Sequence, residues 1–147
     1  MKKILILVLF GIIGCIQVQI VPEDQRKIEK NFQFPNINKA TIYNKSLLWV
    51  TTNINSKKNV IELTDKENGI IVGNGYGRYC DVLAYCTEFD YKFILKIQDE
   101  NITLTYMNIN YLIKGNNEAP IEIKNELDAI ERYLTPQTNR LISYISN

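Results

Sequence analysis

Histidine is absent from the 147 residues of this chain. That absence removes the Ser-His-Asp and Cys-His nucleophile systems and most zinc sites, all of which use an imidazole. Cysteine is scarce: Cys15 stands in the N-terminal stretch, and Cys80 and Cys86 alone lack the third and fourth ligands of a metal site. A long apolar run is missing as well. The greasiest stretch, Ile4 to Ile13, holds ten residues without a polar side chain, and Gln17 and Gln19 follow soon after. A transmembrane helix needs roughly 20. There is no basic patch or stripe of the kind a nucleic-acid binder carries: 17 Lys and Arg meet 16 Asp and Glu, and Lys57-Lys58 reads as a turn-like pair. The sequence gives no cofactor-binding signature.

What is present begins with a leader. Lys2 and Lys3, the apolar core behind them and small residues at its end are the three parts of a secretion signal. Ordinary cleavage wants small residues at the last and third-from-last positions, and here those are Gly14 and Ile12, a poor fit. Ile12-Ile13-Gly14-Cys15 instead resembles the bacterial lipobox, in which the cysteine thiol is acylated and the chain is cut before it. This predicts a lipoprotein signal peptide over 1–14, lipid attachment at Cys15, a tether over 15–25 and a single domain over 26–147. Two or more acyl chains give stable anchoring where one would not. Removal of Lys2 and Lys3 leaves 15 basic residues against 16 acids in the mature chain. No acidic residue closely follows Cys15, so the expected location is the cell envelope, with an outer-membrane anchor facing the periplasm.

The remaining pair, Cys80 and Cys86, flanks five residues that could form a hairpin loop. Opposed strand residues approach closely enough for a disulfide if the register suits. Two reduced, half-buried thiols are the alternative the spacing leaves open.

Along the chain, Ile28, Phe32 and Phe34 share one parity and predict a first strand, stopped by Pro35. Asn36 or Asn38 caps a helix of about 16 residues whose apolar face is Ala40, Tyr43, Leu47, Val50 and Ile54, widened by Ile42 and Trp49. "NVIELT" is a short strand, "DKENG" a turn with Gly69 at positive φ, and "GIIVGNGYGRY" the returning strand. Its glycines at 69, 73, 75 and 77 suggest bulges or a strong bend. "YKFILKIQ" alternates cleanly, Tyr91, Phe93, Leu95 and Ile97 inward and Lys92, Lys96 and Gln98 outward. After "DEN" the apolar parity switches between Tyr106 and Ile109, which predicts a bulge near Met107 and Asn108. Residues 115–120 read as a loop. Ile123, Leu127, Ile130 and Leu134 then form a helical stripe that Pro136 breaks or kinks, with a further turn or two through Leu141, Ile142 and Ile145. The expected fold is α+β: a two-layer sandwich of order β-α-β-β-β-β-α, with helices on one face of an antiparallel meander and the other face wet.

This order is similar to a family known only as a domain of unknown function with a TBP-like fold, found in bacterial lipoproteins and secreted proteins. The resemblance is carried by "IYNKSLLWV", with Tyr43 and Trp49, and by "VIELTDKENGIIVGNG", and it spans roughly residues 26 to 134. "GRYCDVLAYC" and the segment after Pro136 depart from the family pattern. The resemblance implies the fold and brings no known activity; the TBP-like label refers to shape, without DNA binding.

Three acid pairs test carboxylate-only hydrolysis: Asp65 with Glu67, Asp99 with Glu100, and Glu122 with Glu126. The first two fall in hairpin turns and the third on a helix surface, where nothing apolar would raise one pKa. "GNGYG" (73–77) lacks the following helix and Gly-Lys-Ser/Thr ending of a phosphate loop. The sequons at Asn44 and Asn101 are expected by chance in so asparagine-rich a chain. An aromatic group remains: Tyr76, Tyr79, Tyr85 and Tyr91 cluster around the cysteine-flanked hairpin with Arg78 among them. Tyrosine and arginine bring large contact area with a polar tip to partner surfaces; tyrosines are also ordinary strand residues. The expectation is a non-catalytic envelope module, anchored to the membrane through lipidated Cys15, whose exposed sheet face or 76–91 hairpin binds an envelope protein or glycan. A small carboxylate-dependent hydrolase is the rival.

Overall fold

A strand that alternates apolar and charged residues must lie with one face on a core, and residues 86–98 do so throughout. The computed structural model describes residues 18–80, 86–113 and 117–147. In it, Phe89, Tyr91, Phe93, Leu95 and Ile97 of strand β4 (Cys86–Gln98) are each at most 2% exposed. Strand β3 (Ile70–Cys80) pairs with β4 antiparallel in unbroken register, from Ile70 opposite Lys96 to Cys80 opposite Cys86. Against β4, the glycines of β3 therefore mark no bulge. Gly73, Gly75 and Gly77 stand directly across from Phe93, Tyr91 and Phe89, and the rings fill the space where their side chains would be. Against the edge strand β2 (Ile61–Asp65) the register does shift, between Ile61 and Leu63, opposite Gly73 and Val72. Gly69 does take positive φ, 70°, in the β2–β3 turn.

Strand β5 (Asn101–Ile113) carries the bulge its parity switch demanded. Asp90 pairs with Asn110 but Lys92 pairs with Met107, and Asn108 adopts φ 49°. The extra residue returns the apolar side chains to the core, so Ile102, Leu104, Tyr106 and Ile109 are all buried. On its other edge β5 pairs first with β1 (Ile28–Gln33) and then with β6 (Asn117–Pro120). The spatial order is β1-β5-β4-β3-β2, with β6 beside β5. Part of the expected 115–120 loop is thus a strand, and 114–116 lie outside the described residues.

Two helices cover one sheet face. Helix α1 (Lys39–Asn53) is capped by Asn38, whose Oδ1 accepts from the Thr41 amide at 2.9 Å. Its buried face is Ile42, Tyr43, Ser46, Trp49 and Val50, whereas Ala40 is exposed and Leu47 half-buried. The stripe is rotated towards Ile42 and Trp49 because the largest side chains claim the core and a small Ser46 lets the helix approach. Helix α2 (Lys124–Ser146) runs through Pro136 without a break. Pro136 and Arg132, whose carbonyl loses its partner, both face solvent, where water can satisfy that oxygen. Its apolar stripe continues as Ile130, Leu134, Thr138, Leu141 and Ile145. The core is aromatic: Tyr91 meets Tyr106 edge-on at 5.4 Å and Phe89 meets Tyr133 edge-on at 5.5 Å. The Tyr106 hydroxyl lies 2.8 Å from Thr138 Oγ1.

The leader and Cys15 lie outside the described residues. Most of the expected tether is fastened to the domain: Ile20 bridges Ile123, the Val21 amide donates to Glu122 O at 2.7 Å, and the Lys124 amide donates to Gln19 O at 3.0 Å. Residues Glu23–Gln25 form a single 3-10 turn. Among the described residues, no helix is long and apolar enough to cross a membrane.

Candidate functional site

The sheet face away from the helices presents the alternate residues of each strand. On β3 these are Asn74, Tyr76 and Arg78; on β4 they are Glu88, Asp90 and Lys92. Asn110 and Leu112 of β5 and Glu118 of β6 continue the rows, because Asp90 pairs with Asn110 and Leu112 with Glu118. The chain between α1 and β2 adds a wall. Its ends are pinned to β3, where the Tyr76 amide donates to Asn55 O and the Asn74 amide to Val60 O, both at 2.8 Å. Residues 56–58 are thereby held over the outer face.

Two lysines reach in from this wall. Lys57 Nζ lies 2.9 Å from Glu88 and 4.4 Å from the centre of the Tyr76 ring. Lys58 Nζ lies 3.1 Å from Glu118 and 3.5 Å from Asp90 Oδ2. Lys92 pairs with Glu62 of β2 at 2.8 Å. The result is an open groove of about 950 Å³ lined by three lysines and four acids, with Lys58 shared between Asp90 and Glu118.

The groove treats its two central acids differently. The hydrogen bond from Lys57 holds the Glu88 carboxyl below the usual range. Asp90 is pushed up, first by burial and then by the Glu118 carboxylate. Its side chain is 17% exposed, and Oδ1 is buried without a hydrogen-bond partner. The Tyr76 hydroxyl is pushed up, chiefly by burial and then by a hydrogen bond to Glu88.

The residues singled out in the sequence divide between the two faces. Tyr76 and Arg78 are on the outer face. Tyr79 packs inward on Phe89 at 6.1 Å, and Tyr91 is 2% exposed in the core. Tyr85 lies outside the described residues. The five are not one surface, because neighbouring strand residues point to opposite sides. Cys80 and Cys86 are joined by a disulfide. Each of the three acid pairs has at least one member engaged in structure. Asp65 accepts from the backbone and side-chain amides of Asn68, and the side-chain bond above all lowers its pKa. Asp99 accepts from the Lys39 amide and Glu100 from the Asn36 amide. Glu122 pairs with Arg26 at 3.1 Å. Among the described residues, no group of three or more Cys, Asp and Glu could hold a metal ion.

Sequence reasoning missed Lys57, Lys58, Glu88, Asp90 and Glu118. One signal was available: Glu88, Asp90 and Lys92 place three charges at consecutive outward positions of the central strand.

An antiparallel sheet of this order, with two helices on one face and a polar groove on the other, defines an α+β domain of TBP-like fold. The chain belongs to the family described as a domain of unknown function (DUF4468) with TBP-like fold, which its residues 29–112 match. Two crystal structures share the fold. A DUF4468 family protein from Bacteroides ovatus aligns with TM-score 0.61 at 15% identity, over 82% of this chain and 83% of that one. A TBP-like protein from Parabacteroides distasonis aligns with TM-score 0.62 at 15% identity, over 82% of this chain and 92% of that one. No protein of curated function matches the chain.

Proposed function

We propose that this is a lipid-anchored cell-envelope module that acts by binding, and that its partner, an envelope protein or a glycan, sits in the outer-face groove. The anchor is the lipobox cysteine, Cys15, and the place is the outer membrane facing the periplasm. The observation that carries the binding site is Asp90. A half-buried carboxylate beside another acid, with one oxygen unpartnered, weakens the fold that keeps it. Such costs are borne where a ligand supplies the missing donor. Three lysines among four acids leave one acid in excess, which disfavours an anionic ligand and suits one rich in hydroxyl or amide donors.

One observation favours the hydrolase reading: Glu88 and Asp90 are pushed in opposite directions, the pattern that separates acid from base. Both carboxylates are also tied to lysines, Glu88 to Lys57 and Asp90 to Lys58, which suits holding a ligand better than proton transfer.

The test is capture of envelope glycans and envelope proteins by wild type, Asp90→Asn and a control, Leu63→Ser, whose site lies outside the groove. Losing a hydrogen bond to a charged group is worth about 10- to 100-fold in affinity. Asp90→Asn should lose capture by that factor while keeping or raising thermal stability, and Leu63→Ser should capture normally. Capture by Asp90→Asn equal to wild type, or none by wild type, contradicts the groove. Release of cleaved sugar by wild type, abolished in Asp90→Asn, moves the conclusion to hydrolysis.

A further inference from the structure

We infer that the domain does not swing on its lipid but stands on the bilayer on its β1–β6 edge, with Val18 and Ile20 in the headgroup layer. This rests on the anchor reading, and adds to it an orientation and a contact surface.

The inference begins with the length of the leash. If the mature chain starts at Cys15, the first backbone group held by the domain among the described residues is the Gln19 carbonyl, which accepts from the Lys124 amide at 3.0 Å. The Ile20–Ile123 bridge, the bond from Val21 to Glu122, and Arg26, which reaches both Val21 O at 2.8 Å and Glu122 at 3.1 Å, hold the next residues. Four residues of extended chain span at most about 14 Å. The headgroup layer that the acyl chains must cross is about 5–8 Å thick. Little length remains to lift the domain off the surface.

The second observation is what the fastened segment shows to solvent. Val18 is 59% and Ile20 66% exposed, and residues two apart in an extended segment share a side. In the sequence the alternation runs back through Ile16, with Gln17 and Gln19 between. Among the described residues, the other large exposed apolar side chains, Leu48, Leu63 and Tyr144, are single and on separate elements. Greasy residues therefore collect at the end where the lipid would emerge.

Charge decides what kind of surface this is. Arg26 is paired with Glu122 and Lys124 with Asp128, and Lys27 is outweighed by Glu23 and Asp24. Among the described residues of this edge, no unpaired basic cluster stands ready to read anionic lipid. The contact is apolar, fixed by the acyl chains, and insensitive to salt. It leaves the β2 edge at the far side of the sheet from the membrane.

The full-length lipidated protein, reconstituted in phosphatidylcholine vesicles, carries no free thiol once Cys15 is acylated and Cys80 is bonded to Cys86. A polarity-sensitive fluorophore is placed at Asn125→Cys, beside the fastened segment, or at Leu63→Cys on the far edge. The 125 label should be quenched by brominated lipid and be several-fold less accessible to iodide than the 63 label, in low and high salt alike. Adding Val18→Ser and Ile20→Ser should abolish the bromolipid quenching and leave fatty-acid incorporation intact. Equal iodide access at both sites in a protein that has incorporated a fatty-acid probe overturns the seat and spares the anchor. Failure to incorporate the probe overturns the anchor reading, and the seat with it.

Discussion

Gly75 and Tyr91 face each other across the central ladder, and the ring lies where a Cβ would project. The ring cannot yield, because it is packed between Phe89 at 5.9 Å and Tyr106 at 5.4 Å. Valine is the better strand former, yet here it must overpack a full core. Gly75→Val should cost about 1–3 kcal/mol, read as a lower urea midpoint with unchanged slope; an unchanged or higher midpoint contradicts the ring-over-glycine account. Tyr106 makes a pH prediction. Burial pushes its hydroxyl up to about 12, whereas an unfolded tyrosine ionises near about 10. The folded state therefore holds the proton more tightly, and this contribution is complete below about pH 10 and is lost as pH rises through about 12. Tyr106→Phe should lose less stability than wild type between those limits in pH-dependent denaturation. Equal losses would show that the site is wetter than the structure has it. The sequence signalled Tyr91 and Tyr106 as aromatic, but a tyrosine for the core and one for a partner have the same letter. Parity alone separates Tyr76, which faces the groove, from Tyr79, which packs on Phe89.

Elements with strong periodicity were the legible ones. The alternation of β4 and the parity switch of β5 follow from one core face, so the bulge at Met107 and Asn108 could be read directly. The face of α1 was harder, because seven of its residues are apolar or aromatic and several stripes fit; the core chose the one containing Trp49. Strand β6 was missed because Asn117-Glu118-Ala119-Pro120 has no β-branched or aromatic residue, and only its neighbour β5 makes it a strand. The groove wall was illegible for a related reason: backbone bonds from Asn74 and Tyr76 place Lys57 and Lys58, and no side-chain pattern records them. Two predictions belong to this scale. The Cys80–Cys86 bond closes a short loop, so reducing it should cost about 2 kcal/mol, read by denaturation with and without reductant; global unfolding on reduction would mean that the hairpin holds the sheet together. Pro136 interrupts the hydrogen-bond ladder of α2 on its wet side. Pro136→Ala should stabilise by about 1–3 kcal/mol, visible as a raised Tm, and a lowered Tm would show that the helix depends on the proline's geometry.

At the scale of the whole molecule, the fold is shared at 15% identity by two bacterial proteins. A sheet, two helices and their packing can be kept with almost any matching core, while function lives in the groups a fold presents. What this chain presents is a polar groove of lysines and acids on one face and an apolar edge near its N-terminus. Both take their meaning from the anchor: a groove for envelope ligands is useful only if the domain is held in the envelope, and the edge has a surface to meet only if Cys15 carries lipid. Intact-mass spectrometry of the protein purified from the membranes of its native host tests that claim most directly. The expected mass is that of a chain beginning at Cys15 plus its acyl groups. An unmodified chain still carrying its leader, or one cut elsewhere without lipid, contradicts the account.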